Sequence, residues 1–188
     1  MSLDHALLVS LLEKPSSGYA LARRFDRSIG HFWEATHQQI YRVLARMEEA
    51  GWVKAKLHAG ETAPDRREFT VTAKGRKELA RWLPEPAEAQ GYRDALMVKL
   101  RGAAYDDPAR LRPEVERQHA AHSAQLVHYR AIEARDFSGP LDRQRALQYQ
   151  VLKSGIRIEQ AWIDWCAETL GLLRELERDE KPKRRTAP

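Results

Sequence analysis

The segment from Thr36 to Gly51 constrains the fold most, because it carries both a start signal and a stop signal for one helix. Thr36 and Gln39 have the spacing of a capping box, in which a Thr hydroxyl and a Gln side chain each bind the other residue's backbone N–H group. A glycine at position 51 suits the left-handed conformation that follows many helix ends. The segment between them is amphipathic, with an apolar face formed by Ile40, Val43, Leu44 and Met47. The opposite face presents Gln38, Gln39, Arg42, Arg46 and Glu49 to solvent.

The periodicity changes from helical to alternating directly after Gly51. Residues 53–58 alternate apolar and polar side chains, which predicts a half-buried strand. Residues 59–65 are rich in turn-forming types, and residues 66–71 read as the partner strand, with Phe69 and Val71 facing inward. The predicted hairpin is basic, because it carries Lys54, Lys56, Arg66 and Arg67.

Helices are predicted on both sides of this helix–hairpin segment. The leucines of residues 3–12 form one helical stripe. A second helix is predicted over residues 19–28, with Tyr19 and Phe25 on its inner side, and a fourth over residues 73–83, with Leu79, Trp82 and Leu83 inside. The order helix, helix, helix, hairpin, helix is typical of a winged helix-turn-helix domain.

The polar face of the third helix and the basic hairpin together predict DNA binding. A helix fits the major groove, where Gln can read adenine and Arg can read guanine or hold a phosphate. A basic wing would meet the DNA backbone or the minor groove. The candidate contacts are Thr36, Gln38, Gln39, Arg42, Arg46, Lys54, Lys56, Arg66 and Arg67. The alternative is an ordinary small α/β domain whose charges are only solvated.

Three stretches of the N-terminal part resemble the PadR-type transcriptional regulators. They are residues 17–22, 39–53 and 67–75; Tyr41, Leu44, Glu48 and Gly51 match the pattern "I-Y-P-x-L-x-x-L-E-x-x-G" of the family's recognition helix. Arg42 stands where the family usually has Pro, and Met47 where it usually has Leu. The resemblance covers residues 3–83 well and the remainder more loosely. It implies a homodimeric repressor, released by a small molecule or a stress signal, in which the Tyr41 hydroxyl contacts phosphate.

The second half of the chain reads as a helical domain. Pro84 and Pro86 mark a boundary, and helices are predicted over residues 92–102, 108–136 and 141–180, with a turn at 137–140. The predicted organisation is a winged helix-turn-helix domain at 1–84, an α-helical dimerisation domain at 85–180 and a basic disordered tail at 181–188. The fold class is therefore mainly α with a small β-hairpin.

The last predicted helix carries two rows of residues at heptad spacing. The first is Val151, Ile158, Trp165 and Leu172, and the second is Gly155, Trp162, Thr169 and Leu176. A second copy of the chain would cover this seam, so the expected dimerisation residues are Val151, Ile158, Trp162, Trp165, Leu172 and Leu176. A dimer would present two recognition helices to a pseudo-palindromic operator. The alternative is an internal antiparallel hairpin of the two long helices, packed on the winged domain of the same chain.

Other side chains of the helical domain offer weaker signals. Tyr129, Trp162 and Trp165 could line an effector pocket, although aromatic residues on such a stripe are more often core. His119 and His122 have a spacing found in metal sites, yet they lack further ligands nearby, and no metal or cofactor is expected. Cys166, the single cysteine, has apolar neighbours that predict a buried thiol.

Composition and charge narrow the class of protein. The chain has 188 residues and a formal net charge of +5, with 14 basic and 10 acidic residues in 1–84 against 14 and 17 in 85–180. This asymmetry is consistent with a polyanion partner for the first half. No secretory signal, membrane span or catalytic motif is found, so a cytoplasmic non-enzyme is expected. The competing function is a helical protein-interaction module that does not bind DNA.

Overall fold

The computed structural model describes residues 3–26, 33, 35–58, 66–87 and 94–183. Contacts divide the chain into two units, residues 1–91 and residues 92–188. The fold is 77% helical with one small sheet, which confirms the predicted class. None of the helices in the described ranges is both long enough and apolar enough to cross a membrane.

Over its described residues, the N-terminal unit has four helices and a three-stranded sheet. In chain order the elements are α1 Leu3–Glu13, β1 Ser16–Ser17, α2 Gly18–Asp26, α3 His37–Glu49, β2 Val53–His58, β3 Arg66–Val71 and α4 Ala73–Trp82. Its core joins the three N-terminal helices to the sheet through Leu7, Leu8, Leu11, Leu21, Phe25, Ile40, Leu44, Met47, Val53 and Phe69.

The sheet has one more strand than the predicted hairpin. Its order is β1-β3-β2, all antiparallel, with Val53 opposite Val71 in the hairpin and Ser16 opposite Phe69 at the other edge. The added strand β1 is only two residues long, so it shows no alternation that could have predicted it. It holds the start of α2 against the sheet.

Two side chains predicted to face the core of this unit are exposed instead. Tyr19 on α2 is 60% exposed, because the buried face of that helix is formed by Gly18, Leu21, Ala22 and Phe25. Leu83 is also exposed, because α4 ends one residue before it. The structure describes the predicted helix of residues 19–28 as far as Asp26, and residues 27 and 28 lie outside the described part.

All the regular elements described in the C-terminal unit are helices. It contains α5 Ala95–Gly102, two short 3-10 segments at Ala103–Tyr105 and Pro108–Leu111, α6 Arg112–Asp136 and α7 Arg143–Lys183. The helices α6 and α7 form an antiparallel hairpin around the turn at 137–142. Its core contains Leu96, Val115, Cys166, Leu170 and Leu173. The predicted tail begins inside α7, whose helix continues to Lys183, and residues 184–188 lie outside the described part.

Candidate nucleic-acid interface

Helix α3 is defined at both ends by hydrogen bonds that the sequence predicts. At its start, the Gln39 backbone N–H donates to Thr36 Oγ1 (3.2 Å) and the Thr36 N–H donates to Gln39 Oε1 (2.8 Å), which completes the capping box. At its end, Gly51 has φ +72° and the N–H of Trp52 donates to the Met47 carbonyl at 2.8 Å. These bonds fix the register in which the polar face of α3 points to solvent.

The exposed side chains of α3 fall into two groups: those that bond to other described residues and those that do not. Gln38 and Arg42 are exposed, and Arg42 makes no ion pair with any described residue. Gln39 is also exposed, but its side-chain oxygen is engaged in the cap. Gln38 and Arg42 are therefore the α3 side chains most available to an external partner.

Tyr41 lies at the edge of α3 that faces the start of α2. Its ring covers Gly18 so closely that a Cβ at that position would come within 2.7 Å of the ring. The ring is about half exposed. Glycine at position 18 thus lets Tyr41 lie against α2.

Arg46, a predicted DNA contact, is joined to the buried Asp4 of α1. Its Nη2 and Nε donate to Asp4 Oδ1 at 2.5 and 3.2 Å, and this hydrogen bond raises the pKa of the Arg46 guanidinium. Asp4 is only 5% exposed, so loss of Arg46 would leave a buried carboxylate without this partner. The structure therefore gives Arg46 a role in holding α1 to α3.

The basic hairpin is held to α3 through one of its own arginines. Arg67 donates from Nη2 to both carboxylate oxygens of Glu48 at 2.8 and 2.9 Å, and its guanidinium lies 5.6 Å from the centre of the Phe69 ring. Lys54 and Lys56 on β2 are exposed. The side chain of Arg66 lies outside what the structure describes.

An open groove of about 300 Å³ runs along the α1 side of α3. Leu3, Trp33 and Val43 supply apolar walls, while Arg42 and Arg46 supply positive charge. The groove continues the exposed surface of α3 and belongs to the same candidate interface.

The two heptad rows of α7 face different surroundings. Gly155, Trp162 and Thr169 face α6 or the core: Tyr129 packs on Gly155, and Trp162 stacks on His122 at 4.9 Å between ring centres. In the other row Ile158 and Leu172 are 57% and 51% exposed and Val151 is also exposed, while Trp165 is half-buried against the core. Leu176 is the exception in the packed row, because it is exposed. Trp162, an expected dimerisation residue, is thus half-buried and packs on α6 of its own unit.

The predicted effector-pocket residues pack against other side chains. Tyr129 is buried, and Trp162 meets Trp165 edge to face at 5.3 Å.

His122 Nδ1 lies 2.6 Å from Glu159, and over the described residues no three His, Cys, Asp or Glu side chains gather as a metal site. Cys166 is buried, and burial raises the pKa of its thiol.

Comparisons with known proteins match both units of the chain. Residues 7–81 match the profile of the "Transcriptional regulator PadR-like family", and residues 92–174 match that of "Virulence activator alpha C-term". A Mycobacterium tuberculosis protein described as a "probable transcriptional regulator" is 48% identical, over 93% of this chain and 99% of the relative.

Solved structures resemble nearly the whole chain. The Vibrio cholerae virulence activator AphA is 31% identical with a TM-score of 0.75, over 93% of this chain and 99% of AphA. Bacillus subtilis PadR in complex with operator DNA is 24% identical with a TM-score of 0.79, over 91% of this chain and 98% of PadR. The same PadR, named a negative transcriptional regulator, is 32% identical over 43% of this chain and 44% of its own length, and it is also known in complex with p-coumaric acid.

Proposed function

The chain belongs to the PadR-like family of transcriptional regulators, and we propose that it binds operator DNA as a homodimer and represses transcription. The observation that carries the proposal is the exposed face of α3. Gln38 and Arg42 project from a helix whose start is fixed by the capping box, so two base-reading side-chain types are held in a defined register. The family is one of regulators and not of enzymes.

The contacts divide into those that read sequence and those that position the protein. We assign base reading to Gln38 and Arg42, and phosphate contact to Tyr41, Lys54 and Lys56. Thr36 and Gln39 act through the cap. Arg46 and Arg67 act mainly through Asp4 and Glu48, although their remaining donors stay exposed.

The dimer is proposed from the exposed apolar row of α7. Val151, Ile158 and Leu172 leave large apolar side chains in solvent at heptad spacing, and α6 covers a different face of the helix. A second copy packed along this row would bury them, as a helix-bundle seam does. Trp165 lies at the border between this row and the core of the unit. We leave Trp162 out of the seam because it packs on His122.

Repression is proposed from the similarity of the N-terminal unit to the negative regulator PadR. Activation is the alternative that the AphA similarity offers. A reporter gene under the promoter of this protein's own gene separates them: deletion of the regulator is expected to raise reporter output, and a fall would establish activation.

Release by a small molecule is proposed because PadR has been solved with p-coumaric acid, and a pocket at Tyr129 stays a prediction.

The test of DNA binding is fluorescence anisotropy with the duplex upstream of the protein's own gene and a scrambled duplex, at low and at physiological salt. The double variant Gln38→Ala/Arg42→Ala is expected to bind both duplexes equally, because it removes base contacts and leaves the capping box intact. The matched control, Arg143→Ala/Gln144→Ala, removes the same residue types from the exposed start of α7 and is expected to keep selectivity.

Two results would overturn this assignment. Retained selectivity in the Gln38→Ala/Arg42→Ala variant would show that α3 does not read bases through these residues. Absence of binding by the wild-type protein to either duplex at low salt would overturn DNA binding and favour the protein-interaction alternative.

A further inference from the structure

Helix α2 carries an exposed donor pair outside the predicted interface. Arg23 Nη1 donates to the Tyr19 hydroxyl at 3.1 Å, and the guanidinium lies 5.9 Å from the centre of the same ring. Both side chains lie on one flank of α2, since they are four residues apart. Tyr19 is 60% exposed, which is unusual for a large aromatic residue beside a packed core.

The side chain of Arg23 is exposed, whereas that of the adjacent Arg24 is not. Arg24 turns inward and donates to the Ser10 and Lys14 carbonyls at 2.5 and 2.8 Å, and burial lowers its pKa. Arg24 thus joins α2 to α1. The pKa of Arg23, in contrast, is raised by its hydrogen bond to Tyr19. Only one of the two consecutive arginines is used inside the unit.

The hydrogen bond between Tyr19 and Arg23 orients both groups as outward donors. Arginine can only donate, so the Tyr19 oxygen must accept from it and its own O–H remains to be donated. Arg23 keeps further N–H groups of its planar fork. An exposed phenol O–H beside a guanidinium fits an anionic oxygen, above all a phosphate.

Packing places the start of α2, which carries this pair, against α3. Tyr19 directly follows Gly18, and Gly18 is covered by the ring of Tyr41. The start of α2 is fixed in turn by β1, whose Ser17 lies opposite Glu68 of β3. The acidic residue at the end of α2, Asp26, lies 2.8 Å from His37 Nε2.

We propose that Tyr19 and Arg23 bind a backbone phosphate of the operator, next to the phosphate contacted by Tyr41. The proposal rests on the proposed function and extends its interface to α2. In a helix-turn-helix the first helix crosses the DNA backbone while the second enters the major groove. A donor pair on α2 therefore meets a phosphate, and it adds affinity without reading sequence.

The experiment measures the dissociation constant of the full-length protein for operator and scrambled duplexes over a range of salt concentrations. Arg23→Ala is expected to weaken binding to both duplexes by the same factor and to reduce the slope of log affinity against log salt by about 1.8, because each of the two copies in the dimer loses one neutralised phosphate worth about 0.9. Tyr19→Phe removes only the O–H donor and no charge. It is therefore expected to weaken binding to both duplexes with little change in the slope of log affinity against log salt. Arg143→Ala is the control for a lost positive charge on the surface.

The outcomes separate this inference from the proposed function. An unchanged slope and affinity in Arg23→Ala, with selective binding by the wild type, would overturn the inference alone. A loss confined to the operator duplex would assign Arg23 to base reading and also overturn it. An equal drop of slope in Arg143→Ala would show that net charge acts instead of position. If the wild-type protein binds neither duplex, the proposed function and this inference both fall. Thermal melting of Arg23→Ala and Tyr19→Phe is expected to match the wild type, since both side chains are exposed.

Discussion

At Gly75 the packing of α4 leaves no room for a side chain. A Cβ there would lie 2.2 Å from the Trp52 carbonyl oxygen, a backbone atom that cannot turn away. That carbonyl also accepts the Thr72 N–H at 2.9 Å, so a shift would disturb the start of α4. Gly75→Ala is expected to lower the free energy of unfolding by about 1–3 kcal/mol, measured by urea denaturation.

The control for this glycine lies in the middle of α7. Apart from the nearby backbone of α7 itself and the two neighbouring residues, no described atom comes within 4 Å of a Cβ at Gly171, so Gly171→Ala is expected to raise stability by about 0.5–1 kcal/mol through the helix preference of alanine. If Gly75→Ala proved as stable as the wild type, the close approach of α4 to Trp52 would be wrong.

Glu78 gives the N-terminal unit a defined sensitivity to acid. The hydrogen bond from Arg81, and then that with His5, hold the pKa of Glu78 at about 2, below its ordinary 4.5. A lowered pKa contributes stability that is present above pH 4.5 and is lost as the pH falls towards 2. Glu78→Gln is therefore expected to be less stable at neutral pH and to lose less stability on acidification.

The measurement is urea unfolding, followed by tryptophan fluorescence, from neutral pH down to about 2. The control Glu49→Gln alters an exposed carboxylate on α3 and is expected to reproduce the wild-type acid dependence. An acid dependence of Glu78→Gln identical to that of the wild type would contradict the link from α4 to His5 on α1.

Which residues of α3 are available to DNA could be predicted from the sequence only in part. Helical spacing places Gln38, Gln39, Arg42 and Arg46 on one polar face, and the structure keeps them there. Spacing does not show that Arg46 meets Asp4, because the two are 42 positions apart. Gln39 is different, since its cap contact is local and follows from the same motif that predicts the helix start.

At the scale of the element, prediction succeeded where a local signal ends or begins a helix. The capping box and Gly51 gave α3 its bounds, and the turn at 137–140 separates α6 from α7. Prediction failed for β1, which exists only because β3 provides a partner for Ser16 and Ser17. Tyr19 was assigned to the core for a related reason: an aromatic residue on a short helix suggests burial, while the real inner face begins at Gly18.

Helix α7 has one face that packs on α6 and another that carries the exposed apolar row, so substitutions can test the second face alone. Ile158→Asp and Leu172→Asp place a charge in the exposed apolar row without disturbing the face that packs on α6. Each is expected to convert the dimer into a monomer of 21.7 kDa by sedimentation, with helix content unchanged by circular dichroism. Operator affinity is expected to fall by on the order of 100-fold, because the two DNA-binding units lose their linkage.

Val127→Asp is the matched control, since Val127 is an exposed apolar residue on α6 and lies outside the row on α7. It is expected to stay dimeric and to bind DNA like the wild type. A dimer that survives both Ile158→Asp and Leu172→Asp would place the interface on another surface and reject the heptad row as the seam.

At the scale of the whole molecule, recognition by two copies depends on the distance between their α3 helices. If two N-terminal units read one operator, their half-sites must lie on the same side of the duplex, about one helical turn or 34–36 Å apart. Inserting about five base pairs between the half-sites turns one of them to the opposite side, so wild-type affinity is expected to fall to that of a single half-site. Inserting about ten base pairs restores the side while lengthening the span, so it is expected to recover part of the affinity only if the link between the two copies can extend.

Isothermal titration with these duplexes measures affinity and stoichiometry together. The Ile158→Asp variant is the control for the wild type, because a monomer is expected to bind the duplexes of every spacing with the same affinity. A wild-type protein that ignores the spacing would show that its copies bind independently, and the α7 seam would then have no part in operator recognition.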